Sequence, residues 1–175
     1  HRLARMKLAF FGDVVGKPGR VAVQSHLPGL KARLRLDFVV VNGENAAGGF
    51  GLTSQIAEEF FAAGADCLTL GDHAWDQREA LTYIEREPRL LRPLNYPPQA
   101  RAPGKGAELF TLPDGRRVGV VQLQGNVFMR QSLGCPFMAA DTALDQMPLG
   151  AVADAIIVDM HCEATSEKMA MGHHC

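Results

Sequence analysis

The chain has 175 residues, a formal net charge of −1, 47% hydrophobic residues and 21% charged residues. This is enough chain to bury a core, and we expect a single domain over residues 1–175. A charge so close to zero gives no support for an extended nucleic-acid surface or for binding to an anionic membrane. No apolar run approaches the roughly 18 residues that a membrane-spanning helix needs.

Cysteine usage and the start of the chain predict a cytoplasmic protein. None of the four cysteines belongs to a C-x-x-C pair, so neither a zinc knuckle nor a thioredoxin-type motif is indicated. Cys67 and Cys162 fall in or beside apolar segments, where a free cysteine behaves as a small hydrophobe. The apolar stretch after Met6 stops at Phe11, which is too short for a signal-peptide core. Residues 1–5 are interpreted as sequence upstream of the natural start.

The first half of the chain alternates strands and helices. Strands are predicted over 7–11, 37–41 and 66–70, and helices over 16–34, 52–64 and 76–86. Thr53 or Ser54 is expected to cap the second helix, and Asp76 with Glu79 has the spacing of a capping box at the third. Pro28 is expected to kink the first helix. This β-α-β-α-β-α order predicts a parallel sheet.

The pattern changes in the second half. Residues 90–106 are rich in Pro and Gly and are predicted to form an ordered loop. A β-hairpin is predicted over 107–125 with its turn at Asp114-Gly115. Further on, the pattern favours a helix over 141–147, a buried strand over 153–161 and a helix that begins near residue 165. The hairpin and the late strand predict a second sheet or an antiparallel extension of the first.

Acidic, amide and imidazole residues follow the predicted strands. They are Asp13 after the first strand, Asn42, Glu44 and Asn45 after the second, Asp72 and His73 after the third, and Asp159, His161 and Glu163 at the late strand. The carboxyl ends of parallel strands share one edge, where ligands bind. Carboxylates brought together there repel one another unless a cation lies between them. Mixed oxygen and nitrogen ligands favour Mn, Fe or Zn, and a carboxylate between two sites indicates a two-metal centre.

Each of these residues, taken alone, also has an ordinary structural explanation. Asp13 can cap a helix or form a turn, and "NGEN" at 42–45 is typical of a turn. His161 can be a core histidine, and Asp76 is assigned to helix capping. The functional interpretation depends on the same polarity recurring at several strand ends.

The segment "GENAAGGFG" at 43–51 precedes a helix, and its backbone amides could hold a phosphate. Asn45, Gly48 and Gly49 are the candidate substrate-binding residues. The segment lacks the Lys of a P-loop and the order of a G-x-G-x-x-G turn. A flexible connection is the alternative.

Several segments in one order resemble the YmdB-like family of the calcineurin-type metallophosphoesterases. They are "GDVVG" (12–16), "NGENAAGGFGLT" (42–53), "GDHAWD" (71–76), "RPLNYP" (92–97), "PGKG" (103–106) and "HCEATSEK" (161–168). The match runs over nearly the whole chain from Met6. It implies the α/β class, as a layered α/β sandwich of the metallophosphoesterase type with mixed sheets flanked by helices.

The resemblance also implies a site and an activity. The implied ligands of two divalent metal ions are Asp13, Glu44, Asn45, Asp72 and His161, with Glu44 bridging. It implies that His73 protonates the leaving oxygen in a phosphodiesterase acting on cyclic nucleotides such as 2′,3′-cyclic AMP. A non-catalytic module that binds a phosphate or nucleotide, and a metal-binding regulatory protein, are the alternative functions. Because relatives assemble, a homo-oligomer is one expectation.

This chain departs from the family pattern in two ways. Asp72 stands where the family usually has Asn, which adds a negative charge without removing a ligand. Family members also continue past Cys175 through a "G-T-H-T-H" segment that supplies two histidine ligands. We therefore expect the chain to be a piece of a longer protein, and His173, His174 and Cys175 are not taken as replacements.

Overall fold

The computed structural model describes residues 5–49, 51–126, 133–162 and 165–175. The chain divides into two compact units, His1–Tyr83 and Ile84–Cys175. A single domain over the whole chain stays a prediction. Within the described ranges, no helix is both long and apolar enough to cross a membrane.

The first unit alternates strands and helices in the predicted order. Its elements are β1 (Leu8–Phe11), α1 (Gly16–Leu34), β2 (Phe38–Asn42), α2 (Ser54–Ala63), β3 (Cys67–Thr69) and the start of α3 (Arg78–Arg86). β2 pairs in parallel with β1 on one side and with β3 on the other. Every residue of β2 is buried, as expected for a strand covered on both faces. The predicted parallel sheet is therefore confirmed.

The ends of α2 follow the sequence signals. The Thr53 hydroxyl accepts a hydrogen bond from the Ile56 amide at 3.2 Å, which supplies a partner to a donor at the helix N-terminus. Gly64 ends the helix with a φ of 117°, a left-handed conformation that glycine adopts without a steric penalty. Phe60 lies fully buried on the inner face. Of the two residues predicted as possible caps, Thr53 is the one that caps the helix.

The capping box predicted for α3 is wrong. The helix begins at Arg78, and the Asp76 amide donates to the His73 carbonyl rather than to the Glu79 side chain. Glu79 instead accepts a hydrogen bond from the Ser54 amide at 2.9 Å. The physical reason is that the first amides of α2 lack intrahelical acceptors and attract a carboxylate from another segment.

The second unit contains a separate sheet with helices against it. Its elements are β4 (Leu90–Leu91), a short 3-10 helix (Pro98–Ala100), β5 (Ala107–Thr111), β6 (Arg117–Gln124), α4 (Pro136–Gln146), β7 (Ala155–His161) and α5 (Thr165–His174). β6 pairs antiparallel with β5 and parallel with β7. The core of this unit joins the sheet to both helices through Leu123 of β6, Ala140 of α4 and Met171 of α5. The predicted second sheet is therefore confirmed.

Three details of the second unit differ from the sequence prediction. α4 begins at Pro136, well before the predicted start at residue 141. The sequence predicts β7 to be buried, but it is half-buried along its length because it is an edge strand of the sheet β5-β6-β7. The segment predicted as a loop contains β4, and Leu91 forms a bridge with Lys105. The hairpin turn lies as predicted, with Gly115 at a φ of 87°.

The side chain of Arg92 forms hydrogen bonds within the Pro/Gly-rich segment 90–106. Its guanidinium donates to the carbonyls of Pro93 at 2.9 Å, Pro103 at 3.2 Å, Gly104 at 3.3 Å and Ala102 at 3.4 Å. Burial lowers the pKa of Arg92 from its ordinary value. The start and the end of this segment are therefore joined by a single side chain.

Asn95 attaches the same segment to the end of β6. Its side-chain amide donates to the carbonyls of Gln124 at 2.7 Å and Gly134 at 2.9 Å, while its Oδ1 accepts from the Gln124 amide at 2.9 Å. Asn95 is buried, and these bonds satisfy its donors and its acceptor. The "RPLNYP" motif is thus a structural feature of the second unit.

Two glycines in the α1 region provide a test of the packing. Gly29 lies inside α1 with no atom within 4 Å of a Cβ placed on it. Gly29→Ala should therefore raise the free energy of unfolding by about 0.5–1 kcal/mol, through helix propensity alone. A Cβ on Gly19 would lie 3.1 Å from Val14 Cγ1 and 3.2 Å from its carbonyl carbon, so Gly19→Ala should be destabilising. Equilibrium urea unfolding measures both, and a Gly29→Ala variant that unfolds more easily would contradict this packing.

Candidate functional site

The candidate site of the first unit lies where three parallel strands end. Asp13 follows β1, Glu44 and Asn45 follow β2, and Asp72 with His73 follows β3. Because the three strands are parallel, these segments all leave the same edge of the sheet. The structure thus brings the predicted residues of the first unit to one edge.

The segments after β1 and β2 are joined by hydrogen bonds. The Gly16 amide donates to the Asn45 carbonyl at 3.0 Å, and Arg20 Nη1 donates to the Ala46 carbonyl at 2.9 Å. Asp13 is exposed and has a φ of 53°, a left-handed conformation that non-glycine residues rarely adopt. Strain of this kind concentrates at functional sites, which agrees with a role for Asp13 beyond turn formation.

Glu44 is a carboxyl group in a buried position, with 4% of its surface exposed. Its Oε1 accepts a hydrogen bond from Asn45 Nδ2 at 3.3 Å, and its amide donates to Asn42 Oδ1 at 3.2 Å. Asn42 in turn donates to the Leu70 carbonyl at 3.1 Å, which connects the ends of β2 and β3. A buried carboxylate is costly unless positive charge or hydrogen bonds compensate it, so this position suits a cation ligand.

The glycine segment is the stretch 43–51, of which residues 43–49 and 51 are described, and backbone hydrogen bonds cross it. The Gly49 amide donates to the Asn45 carbonyl at 2.9 Å, and the Ala47 amide donates to the Gly51 carbonyl at 2.9 Å. Gly48 and Gly49 have φ values of 65° and 91°. Because the Gly49 amide already has an acceptor, a phosphate would have to compete for it. The substrate-binding role of Asn45, Gly48 and Gly49 stays a prediction.

His73 and Asp76 form a pair on the turn after β3. His73 Nδ1 lies 2.6 Å from Asp76 Oδ2, and each side chain is 38% exposed. The sequence prediction placed Asp76 in helix capping and missed this contact. The signal was the three-residue spacing in "HAWD", since a tight turn brings such side chains together.

Gly51 lies against the turn that carries this pair. A Cβ on Gly51 would lie 2.9 Å from the His73 carbonyl oxygen and 3.4 Å from Asp76 Cβ, and its φ is 74°. The glycine segment therefore packs directly on the backbone of His73.

His161, the remaining predicted ligand, belongs to the second unit. It is the last residue of β7, its backbone pairs with Gln124, and its carbonyl accepts a hydrogen bond from the Gly125 amide at 2.8 Å. Glu163, which follows it, lies outside the described residues. A role for His161 alongside the residues of the first unit stays a prediction.

The histidines and the cysteine at the end of the chain were not predicted to be ligands. His174 Nε2 lies 2.6 Å from Asp141 Oδ1. Burial and the negative charge of Asp141 raise the pKa of the Cys175 thiol, which disfavours the thiolate form.

The described ranges contain no group of three or more His, Cys, Asp or Glu side chains placed to hold a metal ion. The chemistry of the donors still fits a divalent cation, because carboxylates and an amide converge on one sheet edge and Glu44 is buried there. These residues supply part of a ligand set, and further donors would have to complete it. The two-metal centre therefore stays a prediction.

The close approach of Gly51 to His73 yields a matched pair of variants. Gly48→Ala and Gly51→Ala both place a side chain at positive φ, which should cost roughly 1–2 kcal/mol. Only the Cβ on Gly51 meets other atoms, so Gly51→Ala should cost about 1 kcal/mol more. Urea unfolding of the two variants gives this difference. Equal stabilities would show that the glycine segment does not pack on the His73 turn.

Comparison with known proteins gives relatives of bacterial origin. The chain is 41% identical over 167 residues to a protein of Bacillus subtilis (strain 168) named 2′,3′-cyclic-nucleotide 2′-phosphodiesterase, covering 95% of this chain and 61% of that protein. A crystal structure of a hypothetical protein from Thermus thermophilus matches with a TM-score of 0.85 and 43% identity, covering 97% of this chain and 63% of that one.

A second solved structure is described as a novel phosphatase from Mycoplasma pneumoniae. It matches with a TM-score of 0.86 and 31% identity, covering 97% of this chain and 59% of that one. The chain therefore spans about three fifths of the length of these relatives. The predicted α/β fold class is confirmed by these likenesses and by the two sheets with their helices.

The family is given by a match over almost the entire chain. A family model described as "YmdB-like protein" matches residues 9–175, and the motifs that carry the resemblance fall within that range. The chain belongs to the YmdB-like protein family.

Proposed function

We propose that this protein is a metal-dependent phosphodiesterase that hydrolyses small phosphoesters, with 2′,3′-cyclic nucleotides such as 2′,3′-cyclic AMP as expected substrates. Two kinds of support converge on this proposal. The chain is 41% identical to a relative named for that activity, and a further structural relative is described as a phosphatase. The main structural observation behind the proposal is that carboxylate, amide and imidazole side chains follow β1, β2 and β3 at one edge of the sheet.

The proposed cofactor is a pair of divalent ions, Mn, Fe or Zn. The proposed ligands in the first unit are Asp13, Glu44, Asn45 and Asp72, and His161 is proposed from the second unit on the family resemblance. When bound, such ions supply positive charge for the phosphate oxygens and activate water as the nucleophile. The burial of Glu44 supports its role between two cations, because a carboxylate there needs positive charge close by.

Residues of this chain would contact the substrate and protonate its leaving group. His73, partly exposed on the turn after β3, would protonate the departing oxygen as the bond from phosphorus breaks. Asn45 and the glycine segment would contact the phosphate. Asp72, where the family usually has Asn, would bind a cation more tightly and attract the anionic substrate less.

Replacing His73 separates a catalytic role from a structural one. His73→Ala should lower kcat on 2′,3′-cyclic AMP by roughly 10²–10⁴-fold, the usual scale of acid catalysis, and leave the bound metal unchanged. The measurement is Mn²⁺-supplemented hydrolysis together with metal analysis of the purified protein. His26→Ala, an exposed histidine of α1, is the control and should keep full activity. Loss of metal from His73→Ala would make His73 a structural ligand instead.

Replacing Glu44 tests the proposed metal site. Glu44→Gln keeps the shape of the side chain and removes its charge, so the bound metal should fall first and activity with it. Exposed Glu85 provides the control Glu85→Gln, which should retain both. A Glu44→Gln variant that binds metal as wild type does would remove Glu44 from the ligand set.

Natural protein that hydrolyses neither 2′,3′-cyclic AMP nor bis-p-nitrophenyl phosphate would overturn the proposed activity.

A further inference from the structure

We propose that Asp76 is a positioning residue that orients His73 for proton transfer. This inference rests on the proposed function, because the reaction to which it refers is the phosphodiester hydrolysis proposed above. It starts from the contact between His73 Nδ1 and Asp76 Oδ2 at 2.6 Å, a short distance for a nitrogen and an oxygen.

The contact determines which nitrogen of His73 faces the substrate. A carboxylate accepts hydrogen bonds, so it selects the form of the ring that carries a proton on Nδ1. Nε2 then faces the substrate, and it can donate a proton there only when the ring is the cation that carries a proton on both nitrogens. Carboxylate partners of this kind hold a histidine in one tautomer and one orientation in other enzymes.

Backbone hydrogen bonds and packing hold the turn that carries the pair. The Asp76 amide donates to the His73 carbonyl at 3.3 Å, and the Ala74 amide donates to the Gly71 carbonyl at 3.1 Å. Gly51 packs on the other side, where a Cβ would lie 2.9 Å from the His73 carbonyl oxygen. The His73 backbone is therefore held by the turn and by the glycine segment, while its ring is held by Asp76.

The proton-transfer step balances with water as the only co-reactant. An oxygen derived from water forms a bond to phosphorus, and the bond from phosphorus to the leaving oxygen breaks. The electron pair of that bond stays on the leaving oxygen, which takes the proton from Nε2. Nε2 keeps the pair of its N–H bond, which leaves the ring neutral with its proton on Nδ1. The attacking water releases one proton to the solvent, and Nε2 takes one back from the solvent before the next turnover.

Substrates with different leaving groups distinguish positioning from folding. The ribose oxygen of 2′,3′-cyclic AMP needs a proton as it leaves, whereas the 4-nitrophenolate of bis-p-nitrophenyl phosphate is stable without one. In the intact natural protein, Asp76→Asn should lower kcat on 2′,3′-cyclic AMP by about 10–100-fold with KM changed by less than about threefold. On bis-p-nitrophenyl phosphate the loss of kcat should be below about threefold. Asp76→Glu should restore part of the lost rate, because a carboxylate is again present.

The matched control is Asp145→Asn, which removes an exposed carboxylate from α4 and should leave both rates unchanged. An equal loss of kcat on both substrates in Asp76→Asn would assign Asp76 a structural role and overturn the proposal. Unchanged rates on both substrates would overturn it as well.

A spectroscopic measurement tests the pair without relying on activity. In wild-type protein, ¹H–¹⁵N NMR of His73 should show a proton on Nδ1 with a strongly downfield resonance, and this resonance should disappear in Asp76→Asn. Its absence from wild-type protein would overturn the role of Asp76 whatever the rates. If wild-type protein hydrolyses neither substrate, the proposed function fails, and the NMR result still decides whether Asp76 orients the ring.

Discussion

Parallel pairing of β1, β2 and β3 is the constraint on which the candidate site depends. β2 is buried along its whole length between its two neighbours, so its direction and register are determined by packing. The loops that follow the strands must then emerge at one edge. Hydrogen bonds from Asn42 to the end of β3, and from Gly16 to Asn45, hold those loops to one another. The polar residues are therefore positioned by the backbone of the sheet before any ligand is present.

Much of the fold could be predicted from local signals. The β-branched run of β2, the Thr53 cap and the Gly64 terminator each have a cause within a few residues, and the structure has all of them. The wrong capping box arises because a side chain finds a partner from a distant segment. Glu79 has capping-box spacing, but it accepts from Ser54 of another helix, and no local pattern shows that such a donor lies nearby.

The candidate site shows two limits of sequence interpretation, one within a local turn and one between distant segments. That Asp13, Glu44 and Asp72 reach one sheet edge follows from strand order alone. The pairing of Asp76 with His73 depends on a turn whose geometry the sequence does not specify, so Asp76 was assigned to the following helix. The contact between Gly51 and His73 is likewise invisible in the sequence, because it joins segments from different strands.

The bonds made by Arg92 affect how the second unit tolerates substitution. Its acceptors are all main-chain carbonyls, which every amino acid carries. Side chains at positions 102 and 103 can therefore vary during evolution without removing the acceptors. Position 92 tolerates less change. Even lysine, which is also positively charged, has a single ammonium group, whereas the planar guanidinium of arginine donates to several oxygens at once. Substitutions should thus be tolerated unequally along this segment, more readily at positions 102 and 103 than at position 92.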